Sequence, residues 1–245
     1  MIHSLKSSFI EKIAVLTLLA FSCQSFTALA NPPKLTAAGK PVMPKLIPAA
    51  PQIAAKGYIL MDANSGKIIA EKNADERLDP ASLTKMMTTY VADYELEQGN
   101  IALDDITVVS ERAWARNFPG SSLMFLEAGK KVDVLSLLKG VTISSGNDAT
   151  VALAEHIAGS VDAFADVMNQ HAQLLGMNSS HFMNPHGLTH DDHYTTARDM
   201  ARLAQATIID FPERYKLYAM KSFTYNNITF FFFIKSKLRF GRYNR

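Results

Sequence analysis

Cysteine is almost missing from this sequence: 245 residues hold one, Cys23. It lies in a leader-like segment, so a chain cut after Ala30 would carry no disulfide and no thiol chemistry. A lipid anchor on Cys23 would need a better small-residue context than Ala20-Phe21-Ser22 offers. The leader itself reads as an export signal. Lys6 and Lys12 precede the apolar run Ile13–Phe21, which is too short to cross a bilayer comfortably, and Ala28-Leu29-Ala30 fits small-x-small cleavage. Asn31 is the expected mature start. An excess of either charge sign is missing too. The formal charge is +2, but Lys235, Lys237, Arg239, Arg242 and Arg245 supply five positive charges, and Lys6 and Lys12 against Glu11 one net positive. The body, residues 31–234, is therefore at −4. A mildly acidic body favours no nucleic acid partner. No H-E-x-x-H pattern occurs, and the loop residues His181, His186, His190, Asp191, Asp192 and His193 lack metal-ligand spacing, so they read as solvated loop side chains. His156 and His171 fall on expected helices as packing or surface residues. No internal repeat is visible.

What the chain does have is a clear alternation of apolar runs and stops. Six of its ten prolines fall between Pro32 and Pro51, an extended lead-in (31–55) without its own core. Gly57–Met61 and Lys67–Ala70, separated by Asp62-Ala63-Asn64-Ser65-Gly66, read as a hairpin. Pro80 opens a helix with Leu83, Met86, Met87, Tyr90, Val91 and Tyr94 on one apolar face, stopped at Gly99-Asn100. Ile106–Val109 reads as a strand, Trp114–Ser122 as a loop, and Val132–Ile143 as a helix ending at the turn Ser144–Asp148. Ala149–Ala158, Val161–Leu175 and a segment opened by Thr196-Ala197-Arg198-Asp199, a capping-box variant with Asp for Glu, read as three more helices. Asn226-Asn227 centres a second hairpin from Phe223 to Ile228. Domain boundaries are thus expected at 1–30, 31–55, 56–229 and a basic tail 230–245. That tail begins with four phenylalanines and has no periodicity, which fits either a frame disruption near Thr229 or a genuine basic tail.

Two stretches carry chemistry. In Pro80-Ala81-Ser82-Leu83-Thr84-Lys85, a hydroxyl and an amine stand three apart at a helix start, so one face presents both. A desolvated lysine can take the proton that a serine must lose to become a nucleophile. The spacing also occurs at Ser136-Leu137-Leu138-Lys139, inside an apolar run with no helix start, which reads as plain helix surface. The second stretch, Ser145-Gly146-Asn147, has the composition of a helix-entry turn.

Together, Pro80-Ala81-Ser82-Leu83-Thr84-Lys85-Met86-Met87 and Ser144-Ser145-Gly146-Asn147-Asp148-Ala149 resemble the low-molecular-mass penicillin-binding proteins, and more narrowly the exported D-alanyl-D-alanine carboxypeptidases. The similarity extends to Asn184-Pro185-His186-Gly187-Leu188 and Thr195–Met200, and covers about Ala55 to Ile228. It implies an α/β fold of the serine β-lactamase/transpeptidase type, a helical cluster beside an antiparallel sheet. It further implies that Ser82 is the acylated nucleophile, Lys85 its proton acceptor, Ser145 the proton relay to the leaving D-alanine, and Asn147 the holder of the substrate amide. The implied substrate is a peptidoglycan stem pentapeptide, β-lactams are the implied inhibitors, and no cofactor or metal is implied. A class A β-lactamase would instead show Ser-Asp-Asn at 145–147 and a Glu-x-x-Leu-Asn loop, and neither occurs. The family's Lys-Thr-Gly triplet, which grips the substrate carboxylate on a strand that also supplies an oxyanion N–H, is absent from the sequence, as are its sheet-rich C-terminal domain and membrane anchor. The expectation is a fold incomplete at its C-terminus, with an exposed edge at the first hairpin. Such a product would be nearly inactive and poorly folded, at most binding cell-wall peptides or β-lactams.

Overall fold

Helix α1, Thr84–Gln98, is enclosed by the rest of the chain. In this computed structural model, residues 49–50 and 52–232 are described. The leader, the lead-in up to Pro48 together with Pro51, and the tail 233–245 lie outside the described residues. All elements belong to one unit beginning at Ala50. Two core clusters flank α1. One gathers Ala92 of α1 with Val109, which follows β3 (Ile106–Val108), and with β4 (Lys131–Asp133), α2 (Val134–Ile143) and α3 (Asn147–Ala158), through Val132, Leu137, Leu138, Val141 and Leu153. The other joins Met87, Tyr90 and Val91 of α1 to Phe164 and Met168 of α4 (Val161–Leu174), to Phe182, and to Leu203 of α5 (Ala197–Asp210). Burying side chains of this size stabilises by about 1.5–3 kcal/mol each.

A helix between two cores has no solvent face along most of its length. The expected one-sided apolar stripe on α1 is therefore corrected: Thr84, Lys85, Thr88, Thr89 and Asp93 are buried as well. Buried polar groups need partners. Thr88 Oγ1 donates to the Pro185 carbonyl at 2.6 Å, and Thr89 Oγ1 lies 2.7 Å from the Tyr218 hydroxyl. Leu83 and Tyr94, expected on the apolar face, are exposed. The helix ends where Gly99 adopts φ 73, the left-handed cap that glycine tolerates.

The three strand pairs are antiparallel and separate among the described residues: β1 (Tyr58–Met61) with β2 (Ile68–Lys72), β3 with β4, and β5 (Ser222–Tyr225) with β6 (Ile228–Phe231). The antiparallel sheet expected from the resemblance is thus present as three small two-stranded pieces. Helix α5 lies against β1, and β5 packs on α2. Leu60, Ile68 and Ile69 remain exposed on the first hairpin. Val132 and Asp133, read as the start of a helix, belong instead to the strand Lys131–Asp133 paired with Ile106–Val108. Asp133 then caps α2, its Oδ1 accepting the Ser136 N–H at 2.8 Å, and Ser136 Oγ bonds the same carboxylate. At the second hairpin Asn226 and Asn227 both take positive φ, 48 and 61, as a type I′ turn requires. Strand β6 runs two residues past Thr229, with Phe230 stacked 5.0 Å from Phe223. Thr196 caps α5, but Asp199 does not close the expected box. Its Oδ2 accepts the Ser179 N–H and the Ser180 hydroxyl instead.

Candidate active site

Ser82 lies two residues before α1, in a 3-10 turn spanning Ala81–Leu83, while Lys85 is the second residue of the helix. Positions three apart on successive helical turns share a face, so the two side chains can meet. Lys85 Nζ lies 3.2 Å from Ser82 Oγ, and Ser145 Oγ lies 3.2 Å from the same oxygen on its other side. Three of the four expected site residues therefore converge on one hydroxyl. Asn147, two positions on, is the first residue of α3. Its N–H donates to the Ser122 carbonyl at 2.9 Å, and its carbonyl accepts from Thr150 Oγ1. Ser136 and Lys139, the second match to the spacing, lie on α2, and Ser136 spends its hydroxyl on the Asp133 cap.

Backbone strain marks both ends of the site. Ala81 (φ 45) and Ser145 (φ 55) hold left-handed conformations without being glycine, at about 1–2 kcal/mol each. Such strain persists where surrounding contacts over-determine it. Asp79 Oδ1 accepts the Ala81 N–H at 2.9 Å, and Asp79 Oδ2 accepts the Thr189 hydroxyl at 3.0 Å. Gly187 (φ 86) lies flush on the same turn, where a Cβ would meet the Ala81 carbonyl oxygen at 1.8 Å.

Burial governs the charge of Lys85. It pushes the amine down to about 8, against a weaker pull upward from the Asp148 carboxylate. Nζ also donates to the His186 carbonyl at 2.8 Å. The His186 ring is driven down to about 4 by burial first and then by Lys85 and His193, so it is neutral. Asp148 is fully buried. Its Oδ1 accepts the N–H groups of Met124 and Ala149, and its Oδ2 that of Leu126. Burial raises its carboxyl, and the three donors oppose that rise. This carboxylate pins the Ser122–Leu126 segment beside the site.

Asp148→Asn keeps one oxygen and turns an amide NH₂ toward a buried backbone N–H. It is expected to lower stability by about 2–3 kcal/mol, the cost of a buried donor left unmade. It should also drop the Lys85 midpoint below about 8, because the charge that raises it is gone. Urea unfolding and a ¹³C titration of the lysine side chain read both, and an unchanged Lys85 midpoint would refute the coupling.

Sequence reasoning singled out Ser82, Lys85, Ser145 and Asn147. It did not assign roles to Asp148, Gly187, Thr84 or the His186 carbonyl. Asp148 looks like an ordinary acid in a helix first turn, and the others act through contacts about a hundred residues away. The loop histidines are tied into the loop by hydrogen bonds. His181 Nδ1 donates to the Asp192 carbonyl at 2.7 Å, and the Nδ1 atoms of His186 and His190 accept the N–H groups of Leu188 and Asp192. Among the described residues no group of three or more His, Cys, Asp or Glu side chains is placed to hold a metal ion. His171 packs edge-on against Tyr90 and Tyr94.

Known proteins resemble this chain over much of its length. The family model for D-alanyl-D-alanine carboxypeptidases (peptidase family S11) matches residues 45–243. The chain belongs to that family. The D-alanyl-D-alanine carboxypeptidase DacA of Haemophilus influenzae is 51% identical over 178 residues, which cover 73% of this chain and 45% of that protein. DacA of Escherichia coli K12 is 45% identical over 221 residues, 89% of this chain and 53% of that protein. The chain thus spans about half the length of the curated relatives it matches. Among solved structures, penicillin-binding protein 5 from Haemophilus influenzae superposes with a TM-score of 0.74 at 49% identity, covering 75% of this chain and 54% of that one. Penicillin-binding protein 6B from Escherichia coli gives 0.74 at 41% identity, covering 80% and 62%. The fold is accordingly the α/β serine β-lactamase/transpeptidase type expected from the motifs.

Proposed function

We propose that this chain is a serine-type D-alanyl-D-alanine carboxypeptidase that removes the terminal D-alanine of peptidoglycan stem pentapeptides through an acyl-serine. The observation that carries this reading is Ser82 Oγ at 3.2 Å from both Lys85 Nζ and Ser145 Oγ. The neutral Lys85 amine takes the Ser82 proton as Oγ attacks the penultimate D-alanine carbonyl. The tetrahedral intermediate collapses, the C–N bond breaks, and the Ser145 hydroxyl passes a proton to the departing amine. Water then attacks the ester, giving back the Ser82 hydroxyl and the shortened peptide acid. The Asn147 side chain makes no hydrogen bond within the described residues, which suits it to hold the substrate amide. A β-lactam carbonyl would acylate Ser82 by the same first step. The leader-like segment supports an exported, periplasmic location, and among the described residues no helix is long and apolar enough to cross a membrane.

Fluorescent penicillin should label wild type and not Ser82→Ala. The labelling rate should climb with pH to a midpoint at about 8, because Lys85 acts only when neutral and deprotonates there. Label surviving in Ser82→Ala would remove Ser82 as nucleophile. Label that persists while a pentapeptide yields no D-alanine would favour acylation without turnover.

A further inference from the structure

His193 is buried at the far end of the loop that covers the start of α1. Its Nδ1 accepts the Met183 N–H at 3.0 Å. An imidazole nitrogen that accepts from an amide carries no proton, so in the neutral ring the proton is on Nε2. Nε2 lies 2.8 Å from Thr84 Oγ1 and therefore donates to it. Burial pushes the His193 ring down, with His181 and His190 adding to that and Asp79 opposing it, so the neutral form is kept. The Phe182 ring meets His193 edge-on at 5.7 Å and fixes its plane.

Thr84 stands between Ser82 and Lys85, is fully buried, and is the residue where the 3-10 turn becomes α1. Fixing its hydroxyl fixes the rotation of that junction, and with it the angle between the Ser82 and Lys85 side chains. The loop does not need His193 to stay in place. Pro185 and His186 are tied to α1 through Thr88 and Lys85, and Asn184 closes its own turn on Gly187 and Leu188. We propose that His193 is a positioning residue for acylation, acting through Thr84 to hold Lys85 and Ser82 in reacting register. This rests on the acyl-serine reading above.

Two substitutions divide the functions of the imidazole. His193→Gln places an amide nitrogen near the Nε2 position and keeps the bond to Thr84. His193→Asn places an amide oxygen near the Nδ1 position and keeps only the bond to Met183. Penicillin acylation should stay within ~3-fold of wild type in His193→Gln and fall ~10–100-fold in His193→Asn and in Thr84→Val, as for a misplacement of an ångström or less. The double variant Thr84→Val/His193→Asn should be no slower than Thr84→Val alone, since both remove one interaction. A ¹³C titration of Lys85 gives a readout that needs no turnover: the midpoint should stay near about 8 in His193→Gln and rise in His193→Asn and Thr84→Val as the amine loses its seat. A wild type that takes no penicillin would remove the acyl-serine reading, and the Lys85 midpoints would then decide the role of His193. Rescue by Asn and not by Gln, or midpoints unmoved in every variant, would overturn the proposal.

Discussion

Lys85→Met is expected to slow acylation severely while removing a pH-dependent penalty on stability. The amine sits at about 8 in the fold against an ordinary value of 10.5. A base held below its unfolded value binds fewer protons folded than unfolded between those two values, so wild-type stability rises with pH across that window. The rise amounts to about 3 kcal/mol at 1.36 kcal/mol per unit. Below about pH 8 the penalty is fully present, and above about 10.5 it is gone. Methionine has nothing to titrate, so the difference between wild type and variant should close by that amount from pH 8 upward. Subtraction also cancels Tyr90 and Tyr218, both raised by burial, whose own contribution at high pH is shared by the two proteins. The labelling rate should fall by about 10²–10⁴, the usual worth of a placed general base. Stability profiles that run parallel through this window, or a variant that labels at the wild-type rate, would show that Lys85 is not the buried base.

The legible parts of this chain are those whose signal is local. The spacing of Ser82 to Lys85 and the run Ser145-Gly146-Asn147 are each set within a few residues, and the fold had only to bring the two together. The stops at Gly99, Gly159 and Gly176 were readable because each takes positive φ at or just beyond a helix end, where other residues are strained. The Asn226-Asn227 hairpin was readable for the same reason. The burial of α1 on all sides was not. Its inward polar residues, Thr84, Lys85, Thr88, Thr89 and Asp93, mimic a solvent face until the loop carbonyls and Tyr218 are in place to satisfy them. The strand at Lys131–Asp133 was hidden because Val132 continues the apolar pattern of α2 without a break. The separation of the three strand pairs had no local signal, since strand pairing is a property of the whole sheet.

The long-range part of the site has a common form. Backbone carbonyls and buried side chains of the 182–193 loop meet the first turns of α1 at Thr84, Lys85 and Thr88. The Ser82–Lys85 spacing is thus set within four residues, while the contacts that hold the start of α1 come from a loop about a hundred residues on. A mutation in that loop should reach the chemistry without touching substrate.

Gly187→Ala is the sharpest case. Gly187 holds φ 86, and its ideal Cβ would fall 1.8 Å from the Ala81 carbonyl oxygen and 2.8 Å from Thr84 Oγ1. The nearest obstacle is backbone, so no rotamer change relieves it. The turn carrying Ser82 must move or the loop must lift. Gly99 supplies the control. It holds φ 73, and nothing lies within 4 Å of its ideal Cβ. Gly99→Ala should cost only the left-handed penalty of about 1–2 kcal/mol and label with penicillin at the wild-type rate. Gly187→Ala carries that penalty plus overpacking of about 1–3 kcal/mol, and should slow labelling ~100-fold as the nucleophile shifts by an ångström. Urea unfolding of both variants gives the stability difference, and labelling of the folded fraction gives the rate. Equal losses in the two variants, with wild-type labelling in Gly187→Ala, would mean that the loop does not set the position of Ser82.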